Sequence, residues 1–445
     1  MELTRTRTGA RTGTGARARW RGRAGAASSV VATVLALLLG QVVAAPGASA
    51  ATVVSDVPVP MSQTNGPVWA VEMAAGRIYA GGAFTSTRPS GAAAGTSESG
   101  QGRLVAFDAA TGALVPSFAP RLTNEWDGSP GTVHAMVLSP DKKVLYVGGD
   151  FNSVDGQTAE HLAMFDTATG RFLGQVGWNG VNGTVRSLAI SPDGRTLYVG
   201  GAFSVASWTS RDRLAAFDLT TREVTPWRPV ISAPVAGEAL RTTALAVSAD
   251  GARVFVGGPF QQVNGRAAQG VGAVDARTGA TVANFRTDYL LAPYNWATAL
   301  HVVGDTLYLA GRDDRSGSAS RKEGVQAIAT ATGAVRWYSR CYGDTFDVLP
   351  LGSEIYVASH AHDCSAAGGF GETNPRRYVA MHVLDRSTGR VKSGFQVMTS
   401  GVSTQPDTLL LSRTLATDGR QIVMGGGFTS VQGRPQANLV RLPGR

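Results

Sequence analysis

The sequence predicts an all-β fold: a seven-bladed β-propeller of four-stranded blades, closed by the mature N-terminal strand completing the last blade. Three observations lead there. A β-rich run ending in Gly-Gly-x-Phe recurs along the chain. Each copy is flanked by strand-length apolar runs and by hairpin turns. Helical periodicity is nearly absent.

The clearest copies are Ile78–Phe84, Leu145–Phe151, Leu197–Phe203, Val254–Phe260 and Ile422–Phe428. Degenerate copies at Leu307–Asp313 and Ile355–Ala361 fill the gap, so seven copies stand at steps of 67, 52, 57, 53, 48 and 67 residues. Before the copy comes an apolar run and a turn: Val133–Leu138 with Ser139-Pro-Asp-Lys, Val185–Ile190 with Ser191-Pro-Asp-Gly, Thr243–Val247 with Ser248-Ala-Asp-Gly. Pro and Gly supply the backbone angles such turns need. After the copy comes a third strand and a turn built on Asp-x-x-Thr-Gly, at Asp108, Asp166, Asp275 and Asp385. A fourth strand follows, with an aromatic at Phe118, Trp178, Trp227, Phe285, Trp337 or Phe395.

Each unit therefore reads as four short strands, a to d. One such sheet cannot bury both faces, so neighbours must stack and fill the space between them. The Gly-Gly pair is expected to permit close packing where strand b ends. A solenoid is the alternative stacking. The last copy ends with Asn438–Leu442, which supplies strand c but no strand d, while Thr52–Val59 is a spare strand. That spare strand is expected to complete the seventh blade and cover an exposed edge.

The 445 residues include 41 Lys+Arg and 32 Asp+Glu, a formal charge of +9. Much of that charge lies in the leader: residues 1–50 hold seven Arg and one acid, leaving 34 basic and 31 acidic residues, or +3, in 51–445. The basic balance thus gives no support for a nucleic-acid partner. The leader joins a basic region to an apolar stretch, Val30–Leu39, and a small-residue site, Ala48-Ser49-Ala50. It reads as a secretory signal over 1–50, with the propeller in 51–445. An uncleaved anchor is the competing reading, but the apolar core is shorter than the roughly 20 residues a spanning helix needs. A secreted, extracellular chain with no membrane association after signal removal is expected. Two Cys in all 445 residues exclude a disulfide-dense miniprotein.

The pattern Gly-Gly-x-Phe-x-x-Val-x-Gly is carried by Gly148–Gly156, Gly257–Gly265 and Gly425–Gly433. It resembles the delta-sixty-repeat family of bacterial secreted β-propellers over nearly all of 67–442, with the fifth and sixth copies departing from the motif. The resemblance implies an exported propeller, often part of a cell-surface protein, and assigns no chemistry.

If strand a is innermost, the d–a and b–c connections share one face. That face receives the long irregular segments 85–103, 119–132, 228–241, 286–296, 311–323, 358–377 and 397–411. Ligands are expected there, on variable loops held by a rigid frame. Cys341 and Cys364 fall on it and are expected to form a disulfide, about 3.4 kcal/mol by loop entropy before strain.

The most unusual chemistry is His360-Ala-His362-Asp363-Cys364, with Asp344 and Asp347 nearby. Imidazole and carboxylate suit a divalent metal, for which His360, His362 and Asp363 are the candidates; hydrogen-bonded loop residues are the bland reading. Asp344, His360, His362 and Asp363 are the candidate catalytic set. Ligand-contact candidates are Trp126, Trp296, Asp313, Asp314, His360 and His362. The other His residues, including His134, read as structural. No Gly-Lys-Ser/Thr phosphate loop and no Gly-x-Ser-x-Gly elbow occurs. A non-catalytic binding module for protein or glycan is therefore the leading expectation. A glycan hydrolase or lyase, or a structural cell-surface module, are the alternatives.

Overall fold

The structure is a computed structural model that describes residues 54–125, 128–287, 294–313, 322–401 and 411–445. The leader, and with it the reading of 1–50 as a signal, lies outside the described residues. Among the described residues the secondary structure is antiparallel strand, with one short 3-10 turn at Ser365–Ala367.

Each of the seven sequence copies forms the second strand of an antiparallel sheet. In the second repeat the order is Thr132–Leu138, Val144–Asp150, Leu162–Asp166 and Phe172–Gln175, each paired with the next. Four full strands also occur in the third, fifth and sixth repeats. In the first and fourth, strand d shrinks to single bridges, Phe107–Leu114 and Val274–Thr281. In the seventh, Leu439–Leu442 pairs with Ile422–Gly425, and the N-terminal segment reaches its far side through bridges Val59–Arg441 and Val54–Gly444.

The turns form as their residues dictate. Asp108 Oδ1 accepts hydrogen bonds from the backbone N–H of Ala110 (3.1 Å) and Thr111 (2.8 Å) and from Thr111 Oγ1 (2.8 Å). Asp166, Asp275 and Asp385 repeat the arrangement. These bonds hold the Asp carboxyls below their ordinary pKa.

The core lies between successive repeats. One cluster joins Tyr79 and Phe118 of the first repeat to Val147 and Phe151 of the second, and similar clusters link each later pair. A further cluster joins Val68 and Ile78 of the first repeat to Val423 and Leu439 of the seventh. Each fully buried side chain of this size contributes about 1.5–3 kcal/mol. The fourth-strand aromatics take part: Phe118 packs on Tyr79 at 5.3 Å and Trp227 on Tyr198 at 5.2 Å. Trp178 departs from the expectation. It stands in a turn beyond Gln175 and is 64% exposed, because Val176 fills the buried position there.

The irregular face is also more ordered than its sequence suggests. Ser153–Val154 and Gln157–Thr158, just after the second Gly-Gly-x-Phe, form a small hairpin that pairs with Leu122–Thr123. Ile231–Pro234, Phe260–Val263 and Arg266–Ala267 do the same in the fourth repeat. Parts of segments 119–132 and 228–241 are therefore strands.

The glycine pair has a steric cause. A Cβ on Gly149 would run into the carbonyl oxygen of Thr132, and one on Gly148 into Val185 of the next repeat's first strand. We expect Gly149→Ala to cost about 2–3 kcal/mol in urea unfolding. Gly156→Ala, at a turn with open space around it but φ +76°, is expected to cost about 1 kcal/mol. Equal losses at the two positions would contradict the close-approach account.

Candidate functional site

The close approach at the glycines coincides with an irregularity in strand a. In the second repeat Val133 pairs with Gly149 and Ala135 with Gly148, so His134 is an extra residue bulged out of the ladder. The same shift isolates Trp69, Arg186, Thr298 and Phe346. Thr243 and Arg413 stand at the equivalent places, immediately before the first paired residues Ala244 and Thr414. A bulge re-aims the side chain it carries. All seven of these residues line one cavity of about 640 Å³.

The remaining wall comes from the ends of strand b, the d–a connections and the start of the fifth repeat's first strand, including Ala83, Ala202, Arg241, Trp296, Arg312 and Asp344. The cavity thus belongs to the face of the irregular connections, where ligands are expected. Thr243 and Thr298 tie neighbouring walls together, their hydroxyls donating to the carbonyls of Ala297 (2.7 Å) and Thr345 (2.6 Å) of the following repeat.

The wall is cationic. It contains Arg186, Arg241, Arg312 and Arg413 against one carboxylate, Asp344. Asp344 lies 3.2 Å from Arg312, and Glu238 outside the lining lies 2.7 Å from Arg241. Aromatic rings support the guanidinium groups: Trp296 lies 6.0 Å from Arg241 and 5.6 Å from Arg312, and Phe346 lies 5.6 Å from Arg413. Burial, with Arg312, Arg186 and Arg241 nearby, pushes Arg413 down to about 10. Burial beside Arg186 and Arg413 pushes His134 down to about 3, so it is neutral. Arg186 is reached by water yet surrounded by protein; burial and Arg241 lower its pKa.

The residues singled out from sequence divide. Trp296 and Asp344 line the cavity. His360 sits behind it: its Nε2 accepts the Asp344 backbone N–H at 3.1 Å, and its ring packs on Phe346 at 5.7 Å. His362 turns to Glu372, Nδ1 to Oε2 2.6 Å, and stacks on Tyr342. Asp363 accepts the N–H of Ser365 at 2.9 Å, anchoring the 3-10 turn. Asp313 is buried, and its backbone N–H donates to Asp344 at 3.3 Å. Trp126 and Asp314 lie outside the described residues. The structure therefore brings Asp344, His360, Asp313 and Trp296 to one region and directs His362 and Asp363 elsewhere.

The sulfurs of Cys341 and Cys364 are at bonding distance, 2.12 Å. With His382 they form the group of potential metal ligands that lies closest together among the described residues. Sulfurs bonded to each other are not thiolate ligands, so this group does not form a thiolate metal site. The cavity-lining His134, Arg186 and Arg413 escape the sequence reading because the bulge position has no fixed residue type. One regularity does mark it: the bulged residue stands 12 or 14 residues before the first position of the glycine pair.

Comparison with known proteins agrees on architecture. Residues 104–236 match the family of the Rax2 C-terminal β-propeller domain. A chain in the crystal structure of the mitotic checkpoint complex superposes with a TM-score of 0.53 at 14% identity, covering 87% of this chain and 94% of that one. The fold is that of a β-propeller. A computationally designed protein, Ika8, aligns over 88% of this chain and 100% of its own at 12% identity, with a TM-score of 0.47. Hydrazine synthase of Kuenenia stuttgartiensis aligns over 66% and 73% at 17% identity, with a TM-score of 0.41. No curated protein sequence matches the chain.

Two enclosed acids also stand on the first strands. Burial pushes Glu72 up to about 8, aided by Asp347, and pushes Asp347 up to about 7 despite hydrogen bonds from the N–H groups of Leu415 and Val348. A raised carboxyl pKa means the folded state holds the proton longer, so this contribution to stability is full below about pH 4 and is lost as pH rises through 7 to 8. His134, His301 and His382, all shifted down, oppose it below pH 6.5, where unfolded His is protonated. Above that the carboxyls act alone. Stability is expected to fall from about pH 6.5 to 8, and Glu72→Gln to flatten the fall. An unchanged slope in urea titrations of the variant would refute this assignment.

Proposed function

We propose that the chain is an exported, seven-bladed β-propeller that serves as a non-catalytic binding module, taking a protein or glycan ligand at its irregular-loop face. The observation that carries the reading is the convergence of five strand-a bulges and two equivalent strand-a positions on one cavity at that face. A built recess ringed by variable connections on a stiff frame is the usual form of a binding site.

Closure of the ring is supported by two junctions. A Cβ on Gly425 would meet Val68, as one on Gly148 would meet Val185. The N–H of Val59 donates to the Arg441 carbonyl at 3.1 Å, in the place a fourth strand of the seventh repeat would occupy. Export rests on the leader and on the Cys341–Cys364 pair, since disulfides persist outside the cytosol. The resemblance to delta-sixty-repeat proteins points the same way.

Two measurements test this reading. N-terminal sequencing of protein recovered from the medium of a secreting host is expected to begin at Ala51; recovery only with the cells, still starting before Val30, would contradict export. Co-sedimentation with a panel of insoluble polysaccharides, with reducing ends assayed in the supernatants, is expected to deplete the protein without releasing sugar. Trp69→Ala is expected to weaken the depletion at an unchanged melting temperature. Sugar release that vanishes in a His360→Ala variant would overturn the non-catalytic reading.

A further inference from the structure

We infer that the cavity is an anion receptor whose ligand is an acidic saccharide, its carboxylate held by Arg186 and Arg413 and its ring facing Trp69. The inference rests on the binding-module reading and narrows its ligand.

The argument begins with charge. Two of the four guanidinium groups in the wall already face acids, Arg312 with Asp344 and Arg241 with Glu238. Arg186 and Arg413 have neither an ion pair nor a side-chain hydrogen bond among the described residues. Arg186 stands on a bulge and Arg413 at the equivalent place before the first paired residue Thr414, and both line the cavity. Gathering cations on one cavity wall is unfavourable unless an anion compensates. Burial and the other three arginines lower the proton affinity of Arg413 even though Asp347 acts in the opposite sense, so cation crowding outweighs the nearby acid. Guanidinium groups match a carboxylate with paired, charge-assisted hydrogen bonds. Phe346 beneath Arg413 restricts the guanidinium before any ligand arrives.

Shape and surroundings select among anions. A cavity of about 640 Å³ falls in the small-ligand range of about 300–1,000 Å³, which suits a chain end or short oligomer. Trp69 and Phe346 add aromatic surface to the cationic wall, and an aromatic face complements the C–H face of a pyranose ring. A polyphosphate is less suited: the sequence has no Gly-Lys-Ser/Thr loop, and outside the leader the chain is only +3.

The test is calorimetric titration of the exported chain with trigalacturonate, with the neutral galactose trimer, and with a triglutamate peptide, at low and at physiological salt. Trigalacturonate is expected to bind at one site, more weakly as salt rises. Arg186→Gln and Arg413→Gln are each expected to weaken it about tenfold or more with a melting temperature unchanged or higher, since each relieves repulsion. Equal affinity for the neutral trimer would overturn the anion assignment and leave the binding module standing. Equal affinity for triglutamate would overturn the saccharide assignment and point to an acidic peptide. Trigalacturonate binding that is unaffected in both arginine variants would remove the ligand from this cavity. If none of the three probes binds, the inference fails, while the polysaccharide panel decides the binding-module reading separately.

Discussion

The structure depends on how closely strand b approaches strand a at the glycine pair. Without a Cβ on Gly149, the carbonyl of Thr132 sits against its backbone; without one on Gly148, Val185 of the next repeat packs into the same space. The first contact lies beside the bulge at His134. The second sets the spacing between repeats. One sequence feature therefore controls both the stacking that builds the core and the backbone shift that supplies the cavity with side chains.

Division of labour follows. The turns that recur most faithfully, Ser-x-Asp and Asp-x-x-Thr-Gly, engage their polar side chains within the turn, as when Ser139 Oγ donates to Asp141 at 2.6 Å and accepts from the Val144 N–H at 3.0 Å. At the other end of the strands the bulge positions are under no such demand. They carry Trp, His, Arg, Thr and Phe, and the proposed receptor is assembled from them.

Much of the fold was legible because it is written in residues with strong backbone meaning. Glycine pairs marked strand b in five repeats, apolar runs marked strand a in three, and Asp-x-x-Thr-Gly turns marked the end of strand c in four. The degenerate fifth and sixth copies were legible as positions but not as packing. Where Ala358-Ser359 replaces the glycine pair, the next repeat offers Ser412, whose single hydroxyl proton is shared between the carbonyls of Ser359 (2.9 Å) and Ala380 (2.6 Å). That compensation between distant residues cannot be read from one segment. The site was legible in part. Asp344 and Trp296 stand in its wall, whereas His362 and Asp363, conspicuous in sequence, are engaged by Glu372 and Ser365. Arg186 and Arg413 passed unnoticed because a bulge breaks the alternation that tells inside from outside.

The most direct test of the central claim is anomalous diffraction from crystals of the chain soaked in iodide. If the bulges converge unpaired guanidinium groups on one cavity, the strongest iodide peak lies within contact of Arg186 and Arg413 and disappears in the doubly substituted R186Q/R413Q protein. Iodide found only on the outer surface, with the cavity empty of it, would contradict the account.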